Sequence, residues 1–350
     1  MIKILSLKAL ALTLLLLGAC TKDRQDAELR DYLQRLSRPL GLPTPEVVIP
    51  RSPSLPRSEA LRLTITGSKL DGLDFLSLSG CALQQTVAKR NSSLGKLAPP
   101  SQRLLLELAF LRDAPACVDI LVNEGKHDLA AIIEESMRLK KSQLPALIFN
   151  ATLGNREYRD FWRARDAPGD YPQQTSSLVI TALERVTVDA TRWLSGDYQY
   201  DELRFELALS DIARGDGGEL LSAFSRQSAY LTAANNLIAR HIALGPLCTD
   251  TLQSPAAPIL RAVVGKFFVD RVQARSAALS QRFYQLAEPL TALESALSLT
   301  LPQDYRDWQT PRSAVLEQGL KASANHVKQL QSLLGSCYAE FAAGPAISDE

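Results

Sequence analysis

The first twenty residues, MIKILSLKALALTLLLLGAC, decide where the rest of the chain can fold. Lys3 and Lys8 make a basic start, and Leu10–Leu17 is an apolar run too short to span a bilayer. The small residues Gly18 and Ala19 close it ahead of Cys20, the layout of a secretory signal that is cut just after small residues. The remainder is therefore expected to fold outside the reducing cytosol, where cysteine pairs persist. Beyond Cys20 there are four cysteines: Cys81, Cys117, Cys248 and Cys337. An even number implies two disulfides, with three connectivities open. Two cysteines fall in each half of the chain, so the expected pairs are Cys81–Cys117 and Cys248–Cys337. A metal site is the rival reading. No two cysteines stand at CxxC spacing and His127, His241 and His326 are isolated, so no metal is expected.

Leu17-Gly18-Ala19-Cys20 also resembles the bacterial lipobox, in which the cysteine is lipidated and becomes the first mature residue. On that reading Cys20 carries acyl chains that anchor the protein. After Cys20 no uninterrupted apolar run reaches the length of a transmembrane helix, so those chains are the only expected membrane attachment. Thr21, and not Asp, follows the cysteine, which resembles lipoproteins sorted to the outer membrane; Lys22 comes next. The expected location is the cell envelope, on the periplasmic side of the outer membrane. Removing residues 1–19 takes two lysines and no acid from 39 basic and 38 acidic side chains, leaving 37 and 38. That near balance gives no basic excess to hold nucleic acid.

Leu29, Tyr32, Leu33 and Leu36 recur at helical spacing within Thr21–Arg38, predicting a short amphipathic helix beside the tether. Six prolines then crowd Pro39–Pro56, which excludes a helix and predicts an extended path. Leu42, Val47, Val48 and Ile49 are too apolar for a free spacer, so this segment is expected to lie on the body as a strap. Leu61–Thr66 alternates with period two and suits a small ribbon paired with Glu46–Ile49. From Ser68 the text is helical: Leu70–Leu78, Cys81–Asn91, Gln102–Arg112 capped by Ser101, and Asp128–Lys141. The last carries Leu129, Ile132, Ile133, Met137 and Lys140 in one stripe.

Pro and Gly cluster in Ala167–Gln174, marking a boundary between two helical blocks. Beyond it are expected helices at Thr175–Leu194, Tyr200–Ala213, Glu219–Leu244, Ala256–Leu299 (kinked or divided at Pro289) and Arg312–Phe341, with a turn region at Pro302–Pro311. Leu178, Ala182, Leu183, Val186 and Trp193 should share one buried side. The expected fold is all-α, an antiparallel helical bundle or bundles with an extended N-terminal strap. Its parts are a leader at 1–19, tether helix and strap at 20–57, an N-terminal helical subdomain at 58–166 and a long-helix bundle at 175–345.

Candidate chemistry is sparse. Ser93-Leu94-Gly95-Lys96 matches S-x-x-K of penicillin-recognising enzymes, but its partner motifs K-T-G and S-D-N are absent. Glu134-Glu135-Ser136 resembles the glutamate–serine pair of lytic transglycosylases, yet it sits on a charged face beside Arg138, Lys140 and Lys141. There is no HExxH, G-x-S-x-G, P-loop or G-x-G-x-x-G, and no cofactor is expected. Arg156, Arg159, Trp162, Arg163 and Arg165 form the densest basic–aromatic cluster, suited either to an acidic partner or lipid head group, or to a helix end packed by Phe161 and Trp162. Arg90-Asn91-Ser92 reads as a helix end, with Gly95 supplying the turn and Arg90 meeting free carbonyls. A binding role for it stands second.

The string C-x-L from Cys81, then R-N-S-x-L-G from Arg90 to Gly95, then Pro100-Ser101 before an apolar helix resembles the DUF3080 family of uncharacterised proteobacterial lipoproteins. The likeness extends over nearly the whole mature chain, including the strap and the Trp162 region. It carries no assigned activity, and what it implies is location. The leading functional expectation is a non-enzymatic binding or adaptor module for an envelope protein, because nothing supplies nucleophile, base and orienting group together. A cell-wall hydrolase or transglycosylase built on Glu134 or Glu135, and a lipid or small-ligand carrier, are the alternatives.

Overall fold

A computed structural model describes residues 26–66, 78, 80–165, 171–249 and 253–338. The leader with Cys20 lies outside them, as does all of Leu70–Leu78 except Leu78 itself. Among the described residues every regular element is helical: α1 Ala27–Ser37, α2 Ser58–Leu61, α3 Leu83–Asn91, α4 Ser93–Lys96, α5 Pro100–Asn123, α6 His127–Ala151 and α7 Arg156–Phe161. There follow α8 Leu178–Leu194, α9 Glu202–Ala213, α10 Gly217–Leu244, α11 Ala256–Val263, α12 Ala274–Ala296 and α13 Gln303–Leu334. A π-helical stretch, Val264–Gln273, joins α11 to α12.

Helix α1 buries the four residues its spacing singles out, Leu29, Tyr32, Leu33 and Leu36. The proline-rich segment after it is extended and lies on the body, with Leu42, Val47 and Ile49 packed on one apolar cluster and Leu55 buried in another. Ser225 donates to the Pro50 carbonyl at 3.1 Å and the Trp308 indole to that of Pro53 at 3.3 Å. These bonds satisfy a backbone that proline has deprived of regular partners. Val48 is the exception, 80% exposed.

No ribbon forms among the described residues. Leu61 closes α2, and Leu63 gives both backbone groups to one side chain: its N–H donates to Asn150 Oδ1 at 2.8 Å and its carbonyl accepts from Nδ2 at 2.9 Å. Seven residues earlier on α6, the Gln143 carboxamide lies 2.7 Å from the Thr66 hydroxyl. The alternation in Leu61–Thr66 is thus an extended chain, exposed at every second residue, whose partner is a helix side chain. Glu46–Ile49 lies elsewhere, over the cluster built by α1, α10 and α13.

Several expected boundaries shift. Helix α5 starts at Pro100 with Pro99 at its N-cap, so Ser101 sits inside the first turn and caps nothing. The expected turn at Pro302–Pro311 is instead the start of α13, which runs through Pro311. Tyr305, Trp308 and Arg312 are all buried there, and their packing outweighs the hydrogen bond that proline removes. Pro289 likewise lies inside α12 without dividing it; the irregularity of this arm is the π-helical stretch upstream. On α8, Ala182, Leu183, Val186 and Trp193 face inward, while Leu178 at the helix start is 62% exposed.

Successive long helices are antiparallel. Helices α5 and α6 pack together across a three-residue turn, and α12 returns along α10, pairing Gln227 with Ser276 and Asp216 with Arg282. Helices α10 and α13, separated by that return, run parallel: Phe224 faces Gly319, Asn235 faces His326, and Cys248 meets Cys337. Gly319 is required here, since a Cβ would come within 2.3 Å of the Phe224 ring. The two cysteine pairs expected from spacing are at bonding distance, Cys81–Cys117 at 2.12 Å and Cys248–Cys337 at 2.06 Å. The largest apolar cluster draws on α5, α6, α8–α10, α12 and α13 together, from both sides of residues 167–174.

Candidate ligand-binding site

Helix α7 is where the molecule's two most distinctive surfaces meet. Its sequence, Arg-Glu-Tyr-Arg-Asp-Phe followed by Trp162-Arg163, puts Tyr158, Phe161 and Trp162 on one face and Arg156, Arg159 and Arg163 on the other. Asn155 fixes its start: its side chain accepts from Tyr158 N–H at 2.8 Å and donates to the Ala151 carbonyl at 2.7 Å. The aromatic face is buried and the arginine face is exposed. The aromatic face packs the helix end into the core, and the arginine face is left to solvent.

On the arginine side lies a groove made of two adjoining hollows, about 750 Å³ and about 500 Å³, which share Glu59, Arg62, Pro99, Pro100 and Asn150. Six cations line it, Arg62, Lys96, Arg103, Arg156, Arg159 and Arg163, against three acids, Glu59, Glu157 and Asp160. Asp160 is engaged by Arg156 at 3.7 Å and Arg163 at 3.6 Å. Among the described residues, Arg62, Lys96, Arg103 and Arg159 have no carboxylate within ion-pair distance, and Arg103 Nε is buried without a hydrogen-bond partner. Leu63, Ile65, Leu97 and Leu147 supply aliphatic wall.

On the aromatic side is an apolar pocket of about 310 Å³, walled by Trp162, Leu220, Phe283, Leu286, Leu290 and Leu316. Glu294 and Arg312 line it too, as a buried pair at 2.5 and 3.1 Å. Tyr305 Oη and Gln309 Nε2 each donate to Glu294 at 2.7 Å, and Tyr305 lies 3.2 Å from Tyr158 Oη. The Arg312 guanidinium stacks over Trp308 at 4.8 Å and Trp162 at 5.1 Å. Burial works to raise the Glu294 carboxyl, but the Arg312 hydrogen bonds and charge outweigh it and hold the group below its ordinary range. Two donors stay unpartnered there, Arg312 Nε and Trp162 Nε1.

Of the remaining expected site residues, Arg90 and Ser92 make contacts within the fold. Arg90 meets no carbonyl: its Nε donates to Glu107 at 2.7 Å, and the buried Lys140 ammonium pairs with the same carboxylate while lying 4.6 Å over the Phe110 ring. Burial pushes Glu107 up, yet Lys140 and Arg90 together hold it down; for Lys140, burial wins and lowers the ammonium. Asn91 is exposed at the end of α3. Ser92 caps α4, accepting from Gly95 N–H at 3.0 Å and donating to the Lys89 carbonyl at 2.7 Å. Gly95 is needed for close approach, because a Cβ would fall 2.1 Å from the Lys89 carbonyl oxygen.

Ser93 and Lys96 lie exposed on that single turn. Glu134 is exposed, and Glu135 pairs with Arg138 at 2.6 Å with both side chains over 60% exposed. Of the histidines, His326 alone is fully buried, 2.5 Å from both Tyr32 Oη and Asn235 Oδ1; burial lowers it to about 3. Among the described residues no cluster of His, Cys, Asp and Glu could hold a metal, and no helix is long and apolar enough to cross a membrane.

Residues that sequence reading passed over did leave a signal. Glu107 stands inside Leu104–Leu111 and Glu294 inside Leu290–Leu297, acids set among buried apolar positions that call for a cation partner or a proton. Arg62, Lys96 and Arg103 left none, since they belong to three separate segments that the fold alone brings to one groove. Neither a curated protein nor a solved structure matches the chain. The family described as "Protein of unknown function (DUF3080)" matches residues 29–340, nearly the whole length, and the chain belongs to the DUF3080 family.

Proposed function

We propose that this chain is a lipid-anchored, periplasm-facing binding module that docks an envelope protein and performs no chemistry of its own. The observation that supports it is the groove beside α7, which gathers cations without carboxylate partners although acidic and basic side chains are nearly equal in number. Unpaired charges lining a concavity are suited to a partner of opposite sign. The tether rests on the leader and the lipobox-like Cys20. In-cell crosslinking of the tagged protein, followed by mass spectrometry, tests this reading, with Cys20→Ala as the control. One abundant envelope protein that disappears in the control is the expected result. A lane with no specific protein would count against it.

A second reading, a carrier of a small apolar ligand, draws on the pocket at Trp162, whose volume lies at the lower end of ligand sites. Organic extraction of the purified protein would release a stoichiometric lipid on this reading, and a Leu316→Trp change would abolish it. The hydrolase alternative gains nothing from Glu134 and Glu135, which lie exposed on α6, Glu135 paired with Arg138. Zymography on peptidoglycan, with Glu135→Gln alongside, is its test.

A further inference from the structure

We infer that the groove beside α7 receives an extended, acidic segment of a partner protein, a deepening that rests on the binding-module reading above. The cations come from four elements of the chain: Arg62 after α2, Lys96 on α4, Arg103 on α5 and Arg159 on α7. The two hollows meet across Arg62, Pro99 and Pro100, so the charged surface is long and a single small anion fills little of it. It is also concave, which a flat bilayer surface cannot enter. Leu63, Ile65, Leu97 and Leu147 intersperse the charges with aliphatic wall, and Leu97 is 84% exposed. An acidic chain with aliphatic side chains between its carboxylates matches both components.

The extended run Arg62–Thr66 offers such a chain a backbone partner as well. Leu63 turns its N–H and carbonyl to Asn150, and in an extended chain the next residue turns its own the opposite way. Thr64 is exposed, lines the groove and makes no backbone hydrogen bond to any described residue. Leu63 and, through Gln143, Thr66 are therefore held by α6, while the backbone of Thr64 between them is open to pair with an added chain.

The test is fluorescence anisotropy of the purified full-length protein with a labelled peptide of about twelve residues alternating Asp and Val, against a twin in which Asn replaces Asp. The acidic peptide is expected to bind at least about tenfold tighter than its twin, and to weaken as salt is raised. Combined Arg62→Gln, Arg103→Gln and Arg159→Gln substitution should remove that difference, whereas Arg138→Gln on the far face of α6 should leave it intact. Lys96→Gln, on the exposed turn α4, gives a partial loss and stands in if the triple variant does not fold. Equal binding of the two peptides, or a triple variant that folds and still binds, overturns the proposal. So does tighter binding to phosphatidylglycerol vesicles, or full competition by millimolar inorganic phosphate. If the triple variant still crosslinks to the same envelope protein in cells, the groove assignment fails and the binding-module reading survives; if no variant or parent crosslinks, the reading itself fails.

Discussion

Two sets of cations divide the labour of this molecule. Arg312, Lys140 and Arg282 are buried and each is clamped by a carboxylate: Glu294, Glu107 and Asp216. Arg62, Lys96 and Arg159 are exposed along one groove and, among the described residues, clamped by none. The difference lies in solvent. A buried guanidinium without its acid costs several kcal/mol, so the fold must supply the acid. A solvated one costs almost nothing unpaired and keeps its charge for a partner.

The largest effect should come from leaving a buried acid alone. Arg312→Met strands Glu294 with neutral donors only and is expected to lose about 3–5 kcal/mol in urea unfolding. Lys140→Met is expected to cost less, because Arg90 still reaches Glu107. Adding Glu107→Leu to Lys140→Met should recover part of the loss; a double variant weaker than the sum of its singles would show that desolvation is not the governing term.

A smaller effect concerns His326, a buried group with no acid near it. Its folded value of about 3 lies below the ordinary 6.5, so only the unfolded chain takes up a proton between them. Stability is then complete above about pH 6.5 and falls as pH drops, by about 2 kcal/mol at pH 5. Carboxylates of the unfolded chain ordinarily titrate below that window, and the two that burial raises in the fold, Asp189 and Glu219, work in the opposite direction to His326 as pH falls. A thermal-melting series from pH 7 to 5 should show the fall in the parent and a flatter profile in His326→Gln. The smallest effect belongs to the groove: Arg62→Gln and Arg159→Gln should each shift stability by no more than about 0.5 kcal/mol, and a larger loss would mean that these cations are structural after all.

Much of the helical text was legible because its signal is local. The stripe of α1 and the alternation of Leu61–Thr66 both correspond to observed burial. What alternation could not show was its partner, since Asn150 lies 87 residues from Leu63 and imitates a strand with one carboxamide. Proline misled at Pro311, where local propensity argues for a break and buried neighbours keep the helix whole; of the two outcomes expected at Pro289, kinked or divided, division does not occur. Arg159 and Arg163 were legible as a basic cluster on one short helix. Their companions Arg62, Lys96 and Arg103 were not, because a groove assembled from separate segments leaves no spacing to find.

The strap has a consequence in time. Chains are made from the N-terminus onward. Yet Pro50 and Pro53 are held by Ser225 and Trp308, and Tyr32 of α1 by His326, across separations of 175, 255 and 294 residues. The first segments to emerge therefore wait for α10, the π-helical stretch and finally α13 before the surface they lie on is complete. Until then, Leu29, Leu33, Leu36 and the apolar residues of the strap stand open to water, proteases and chaperones. A chain cut short before α13 would keep part of that surface open, and quality control would meet the defect at the first segments of the fold.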